Sequence, residues 1–287
     1  MLTRKYAMTA LVAGYVLFGG VSDGFAQALN PFGNPFEALI VPTKMTRIEV
    51  GGVTAITEGE SNLPDVTNND FAVRVNRKVG KTAAVSASVW ANPRDNDDAA
   101  TFQVGAVGAI NQRASVWFNL GGSPTSEHVP NSQYDFGGSF ALDQQLILTG
   151  MASIRNYQGG PSVRLITPGL VWVLNPRFIV VATAVNSSVS RLAPGVTAGS
   201  NLALFNFVFN ATPRLTLNVG SGYGESDFLA AVAPTQSFSE NNASANFDVF
   251  VTWRFTETHG IRGAYWLDNG NGKYKTNYFQ ASLFLDF

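Results

Sequence analysis

Of 287 residues, 45% are hydrophobic and only 14% charged, against about 25% charged in ordinary soluble domains. The formal net charge of -1 gives no argument for nucleic-acid binding, and the absence of cysteine excludes disulfides, thiolate metal sites and cysteine nucleophiles. No apolar run of about 18 residues lies beyond the extreme N-terminus, which argues against helical membrane spans in the rest of the chain.

The chain begins with Arg4 and Lys5, then the short apolar core "AMTALVAGYVLFGGV", then "GFAQA" with small residues at Ala26 and Ala28. This is the pattern of a secretory signal over residues 1–26. A single membrane anchor is the alternative, but the core is short and Gly-rich and no basic stop-transfer cluster follows. Residues 27–43, "QALNPFGNPFEALIVPT", carry two Asn-Pro-Phe steps and three prolines. Proline removes a backbone donor and disfavours helix before it, so this stretch is expected to be an extended periplasmic lead-in.

From residue 44 to residue 287 the chain is a series of short alternating segments. "FAVRVNRKV" sets Phe71, Val73 and Val75 against Ala72, Arg74 and Asn76. "YDFGGSFAL" sets Tyr134, Phe136, Phe140 and Leu142 against Asp135, Gly137 and Ser139. "RLTLNVGSGYG" sets Leu215, Leu217 and Val219 against Arg214, Thr216 and Asn218, and "FDVFVTWRF" behaves alike around Asp248 and Arg254. The last segment, "NYFQASLFLDF", sets Phe279, Leu283, Leu285 and Phe287 against Gln280 and Ser282, with Phe284 an apolar residue on the polar face. Period two without useful helical stretches predicts an all-β chain.

The connections alternate in length. Tight ones contain "KVGKT", "INQR", "LDQQ", "NPR", "ATPR" and "TETHG"; between them fall longer polar ones such as "NPRDNDDAA", "GGSPTSEHVPNSQ" and "GESDFLAAVAPTQSFSENN". Short turns on one side and long loops on the other are the habit of transmembrane barrels. The pattern predicts a closed antiparallel up-and-down barrel of about fourteen strands, twelve to sixteen being compatible because breaks such as Pro168 could split or merge segments. A soluble sandwich or propeller would show polar residues outward. Here the minority face is small and polar, the inverse arrangement that a bilayer demands.

Alternation assigns Arg47, Glu49, Arg74, Asp135, Arg155, Arg164, Arg214, Asp248, Arg254 and Arg262 to the lumen. They form either ion pairs that plug a narrow barrel or a cation-lined conduit favouring anionic or hydroxyl-rich solutes. Trp90, Trp253, Trp266, Tyr134, Tyr157, Tyr223, Tyr274 and Tyr278 are expected mostly in interfacial aromatic belts, whereas Trp117 and Trp172 assign inward.

Little points to catalysis. Of the two histidines, His128 sits in a long loop and His259 in a tight turn on the opposite side, so they cannot share a metal. Asp95, Asp97 and Asp98 could hold a divalent cation through hard oxygens, although such a run is more often a solvated loop tip. No catalytic, cofactor-binding or metal residues are assigned, and no enzymatic activity is expected.

Two resemblances add to this. The C-terminal residues Gln280, Ser282, Leu285 and Phe287 match, with Ser in place of Gly, the assembly signal that ends outer-membrane barrels of Gram-negative bacteria. "PRLTLNVGSGYGES" (Pro213–Ser226) and "FVTWRFTETHGIRGAYWLDN" (Phe250–Asn269) resemble YaiO-type outer-membrane barrels, related to the pore modules of some exopolysaccharide secretins. The resemblances imply an outer-membrane location after export, with membrane lipid, lipopolysaccharide and the barrel-assembly machinery as partners. They also imply a porin-like or exopolysaccharide-export pore; a non-transporting structural or adhesive barrel is the alternative.

Overall fold

The structure, a computed structural model, describes residues 46–58, 66–80, 82–92, 99–124, 130–158, 160, 162–190, 198–226, 243–269 and 275–287. The expected signal segment and lead-in lie outside these residues, as do Asp95, Asp97, Asp98, His128 and Tyr274.

Fourteen strands make up the described chain: β1 (Thr46–Glu58), β2 (Val66–Val79), β3 (Ala83–Asn92), β4 (Ala99–Ala109), β5 (Ala114–Gly122), β6 (Ser132–Ala141) and β7 (Leu146–Asn156), then β8 (Ser162–Asn175), β9 (Phe178–Ser190), β10 (Ala198–Thr212), β11 (Leu215–Ser226), β12 (Ala243–Arg254), β13 (His259–Asn269) and β14 (Lys275–Asp286). Each pairs antiparallel with its sequence neighbours, and β1 pairs with β14, so the sheet closes into a barrel without an edge. Closure satisfies the backbone donors and acceptors that an open edge would leave bare in lipid. Pro168 does not split β8: the β8–β9 ladder skips Thr167 and Pro168, then resumes in the same register at Gly169 opposite Thr183. A missing N–H thus costs one local gap rather than a strand break.

The tight turns share a device. Asn111, Asp143, Asn175, Thr212 and Thr256 each accept, through a side-chain oxygen, the backbone N–H groups two and three residues on. These short polar side chains stand in for backbone acceptors and hold the chain reversal. The β2–β3 turn instead uses Gly80 at φ 69°, a left-handed conformation that a Cβ would strain. All six turns lie at the end of the barrel where Thr46 bonds Phe287 through both backbone groups.

Alternation sorts the side chains into two environments. Outward positions carry large apolar groups left bare, among them Phe136 at 63%, Phe207 at 60% and Leu283 at 63% exposed. A monomer in water rarely shows so much contiguous apolar surface. Inward positions are buried, and the wall they form has two characters. From β11 through β14 and β1 to β6 it is mainly polar, with Arg47, Glu49, Asp70, Arg74, Gln103, Asp135, Asp248 and Arg262. From β7 to β10 two apolar clusters line it, one including Ile147, Val171, Ile179, Val181 and Val208, the other Val163, Leu165, Val185, Val189, Leu202 and Leu204.

Several aromatic assignments are corrected. Trp90 and Trp266 are buried on the inner face rather than belted in the interface, and Tyr157 is buried too. Trp172, expected inside, points outward at 50% exposure beside Leu174. Trp117 lies inside as expected, and Trp253, Tyr134 and Tyr223 lie outside.

Candidate functional site: the inner wall of the barrel

The densest charge cluster lies where β1 closes on β14, near the tight-turn end. Arg47 and Asp286 are register partners, and the guanidinium grips the carboxylate with both prongs, Nε to Oδ1 at 2.6 Å and Nη2 to Oδ2 at 2.9 Å. Arg254, on the last residue of β12, donates to the same carboxylate at 3.0 Å. One pleat deeper, Arg262 reaches both oxygens of Glu49 at 3.3 and 3.4 Å, and Ser282 donates its hydroxyl to Oε1 at 2.7 Å. Arg74 faces Glu49 across the β1–β2 ladder.

Phe284 is the centre of this cluster. The guanidinium carbons of Arg47, Arg254 and Arg262 stand 4.6, 5.0 and 5.7 Å from its ring centroid. Each lies within the range of cation–π attraction, which strengthens where water is excluded. Gly260 makes room for the ring, because an added Cβ there would strike Phe284 and the Trp253 carbonyl. The apolar residue on the polar face is therefore a platform for cations.

Around Phe284 three guanidinium groups (Arg47, Arg254, Arg262) meet two carboxylates (Glu49, Asp286), so cations outnumber anions there. Bidentate pairing fixes the seam geometrically, while the excess gives this end of the lumen a positive field.

Another carboxylate is satisfied by hydrogen bonds alone. Asp135 accepts from Ser153 Oγ at 2.6 Å, Gln133 Nε2 at 2.5 Å and Asn119 Nδ2 at 3.3 Å, all uncharged donors on β5 to β7. Arg155 hydrogen-bonds the Tyr157 hydroxyl at the long-loop end. On β12 to β14 the rings of Phe250, Trp266 and Tyr278 form a stack, with centroids 6.2 and 4.9 Å apart.

Among the residues assigned to the lumen, Arg47, Glu49, Arg74, Asp135, Arg155, Asp248 and Arg262 are buried on the inner face, and Arg254 sits part-buried at its rim. Two assignments are corrected. Arg164 is exposed on the outer face of β8, in line with Ile166, and Arg214 is exposed in the β10–β11 turn. β8 carries apolar residues on both faces, so alternation alone does not fix its parity, and Arg214 lies in a turn, where alternation does not apply. Asp286 and Asp70 were missed as inner charges. Parity with Ser282 and Gln280 would have found Asp286.

Of the remaining candidates, only His259 lies among the described residues. His259 is exposed and its Nδ1 lies 3.0 and 2.8 Å from the hydroxyls of Thr256 and Thr258. Among the described residues no group of three or more His, Cys, Asp or Glu stands together. Gln280 and Ser282 of the C-terminal motif face inward, Leu285 and Phe287 outward.

No protein-family model matches the chain, and no curated protein matches it in sequence. Solved structures do. A bacterial polysaccharide outer membrane secretin aligns over 85% of this chain and 99% of its own, with TM-score 0.55 at 7% identity. The CymD monoaromatic hydrocarbon channel aligns over 94% of both chains, with TM-score 0.53 at 9% identity. The NanC porin aligns over 83% of this chain and all of its own, with TM-score 0.51 at 8% identity. At such identities the likeness is one of fold: this chain shares the closed antiparallel barrel of those proteins.

Proposed function

We propose that the protein is an outer-membrane channel, a porin-like conduit for small polar or anionic solutes. The observation that carries this reading is the excess of guanidinium over carboxylate in the cluster around Phe284, at one end of a closed barrel. Rings of charge set the selectivity of a pore, and cations favour anions. The bare apolar outer face supports insertion in a bilayer, and an outer membrane is where closed barrels of this kind meet lipid and lipopolysaccharide. The N-terminal signal pattern would route the chain there, and the C-terminal strand would present Gln280, Ser282, Leu285 and Phe287 to the assembly machinery. The two YaiO-like stretches and the fold likeness to a polysaccharide secretin make export of an exopolysaccharide the narrower form of this reading.

A second reading has its own observation. The apolar clusters on the inner wall of β7 to β10 are closely packed, as in a barrel that does not transport and works as a scaffold or adhesin through its loops. Planar-bilayer recording separates the two. A channel gives a steady open level whose reversal potential in a KCl gradient reports anion preference; Arg254→Ala with Arg262→Ala reduces that preference. A folded barrel that stays silent sinks the channel reading, and unchanged selectivity in the double variant sinks the role of the cluster.

A further inference from the structure

Asp248 sits on the inner face of β12, far from the paired charges at the seam. It is 1% exposed, and neither carboxylate oxygen has a hydrogen-bond partner. Its cross-strand neighbour is Gly220 of β11, and the next neighbour across that residue is Asn206 of β10. Asn206 is 4% exposed, Asn218 one pleat along β11 is 9% exposed, and the Oδ1 atom of each also lacks a partner. The missing side chain of Gly220 is what lets Asp248 and Asn206 lean together. A Cβ built there would collide with both oxygens of Asp248 and with Asn206 Oδ1 at once.

Four oxygen acceptors without partners thus lie along one stretch of buried wall, where the side-chain donors are the Asn206 and Asn218 amide N–H groups and the Trp266 indole. Buried acceptors are almost always satisfied, and an uncompensated carboxylate is the costliest to leave bare. A single water has two protons to give, fewer than the acceptors present. Trp266 opposite Asp248 offers an indole N–H, but that too is without a partner. We infer that Asp248, Asn206 and Asn218 hold a hard metal cation over Gly220, with calcium the best match. One carboxylate and two amide carbonyls are all-oxygen ligands of the kind calcium takes, with water completing its larger, less regular shell. The ion would supply the positive charge that Asp248 lacks and tie β10, β11 and β12 together. The inference is independent of whether the lumen conducts.

The test uses full mature chain refolded in detergent without lipopolysaccharide, itself a calcium binder, and stripped with chelator. Calorimetric titration with calcium chloride is expected to show one ion per barrel, and calcium raises the temperature at which the folded gel band converts to the unfolded one. Asp248→Asn weakens binding by about tenfold or more, since it removes the only charge among the ligands. Gly220→Ala keeps every ligand atom but fills the space, and is expected to abolish binding while the barrel still folds. Neutralising Asp95, Asp97 and Asp98 together leaves this binding in place. The inference is overturned if stripped wild-type protein binds no calcium at millimolar concentration, as when the Asn206 amide simply turns its NH2 toward Asp248. Binding that survives both Asp248→Asn and Gly220→Ala, or that is lost only with the loop aspartates, overturns it as well.

Discussion

Asp286→Ala is the sharpest test of how the barrel is closed. In the native seam Asp286 is fully buried, Arg47 is 3% exposed, and their fork is joined by Arg254. Removing the carboxylate leaves the Arg47 guanidinium buried without its counter-charge. Breaking one partner of a buried pair costs about 3–5 kcal/mol, most of it the penalty of the orphaned ion. The share of Arg254, 21% exposed, is smaller because water can reach it. With a urea slope of about 2–3 kcal/mol per M, the unfolding midpoint falls by roughly 1–2 M. Refolding purified protein in detergent keeps the assay clear of cellular assembly, in which the C-terminal strand is itself read. Arg47→Met combined with Asp286→Leu removes both charges and recovers most of the loss. A single variant within about 1 kcal/mol of wild type would refute the buried-pair reasoning. A double variant no better than the single would refute the orphan-charge explanation of the cost.

Gly260→Ala drives a methyl into the Phe284 ring and is expected to destabilise by about 1–3 kcal/mol in the same urea assay, whereas a neutral effect would mean the ring is free to move. The Asp143 carboxyl is held below the ordinary carboxylate range by the backbone N–H groups of Gln145, then Leu146. A depressed folded pKa means its support of the β6–β7 turn is present above the unfolded value of about 4 and is lost as pH falls through the lowered one. The protection factor at Leu146, which divides out the intrinsic pH dependence of amide exchange, should therefore fall in that acid window, and Asp143→Asn should erase the fall; protection indifferent to pH in wild type would contradict it. Brominated lipid should quench Trp172 and Trp253 in single-tryptophan variants while sparing Trp90, and strong quenching of Trp90 would overturn the inner-face assignment.

How much of this was readable in advance depended on contrast between the two faces. In β2, β6, β12 and β14 large apolar residues alternate with Arg, Asp, Ser or Gln, and there parity predicts the face of each side chain. The long-and-short rhythm of connections points to about fourteen strands, which is the number observed. In β8, "SVRLITPGLVWVLN", both faces are apolar, so alternation does not say which one turns inward, and Arg164 and Trp172, which share a face, go astray together. Trp90 shares a face with Ser86 and Ser88, and Trp266 with Arg262, so parity points inward for both, whereas nearness to strand ends suggests the belts. The meeting of Asp248, Gly220 and Asn206 could not be read at all. It depends on the register of three strands, one of them reached through the long connection between β11 and β12.

The central claim is that this barrel is a channel whose seam cluster selects by charge. Recording the refolded protein in a planar bilayer under a KCl gradient tests it most directly. A steady open level with a reversal potential toward anions is the predicted result. A heat-modifiable, fully folded barrel that never opens would contradict it.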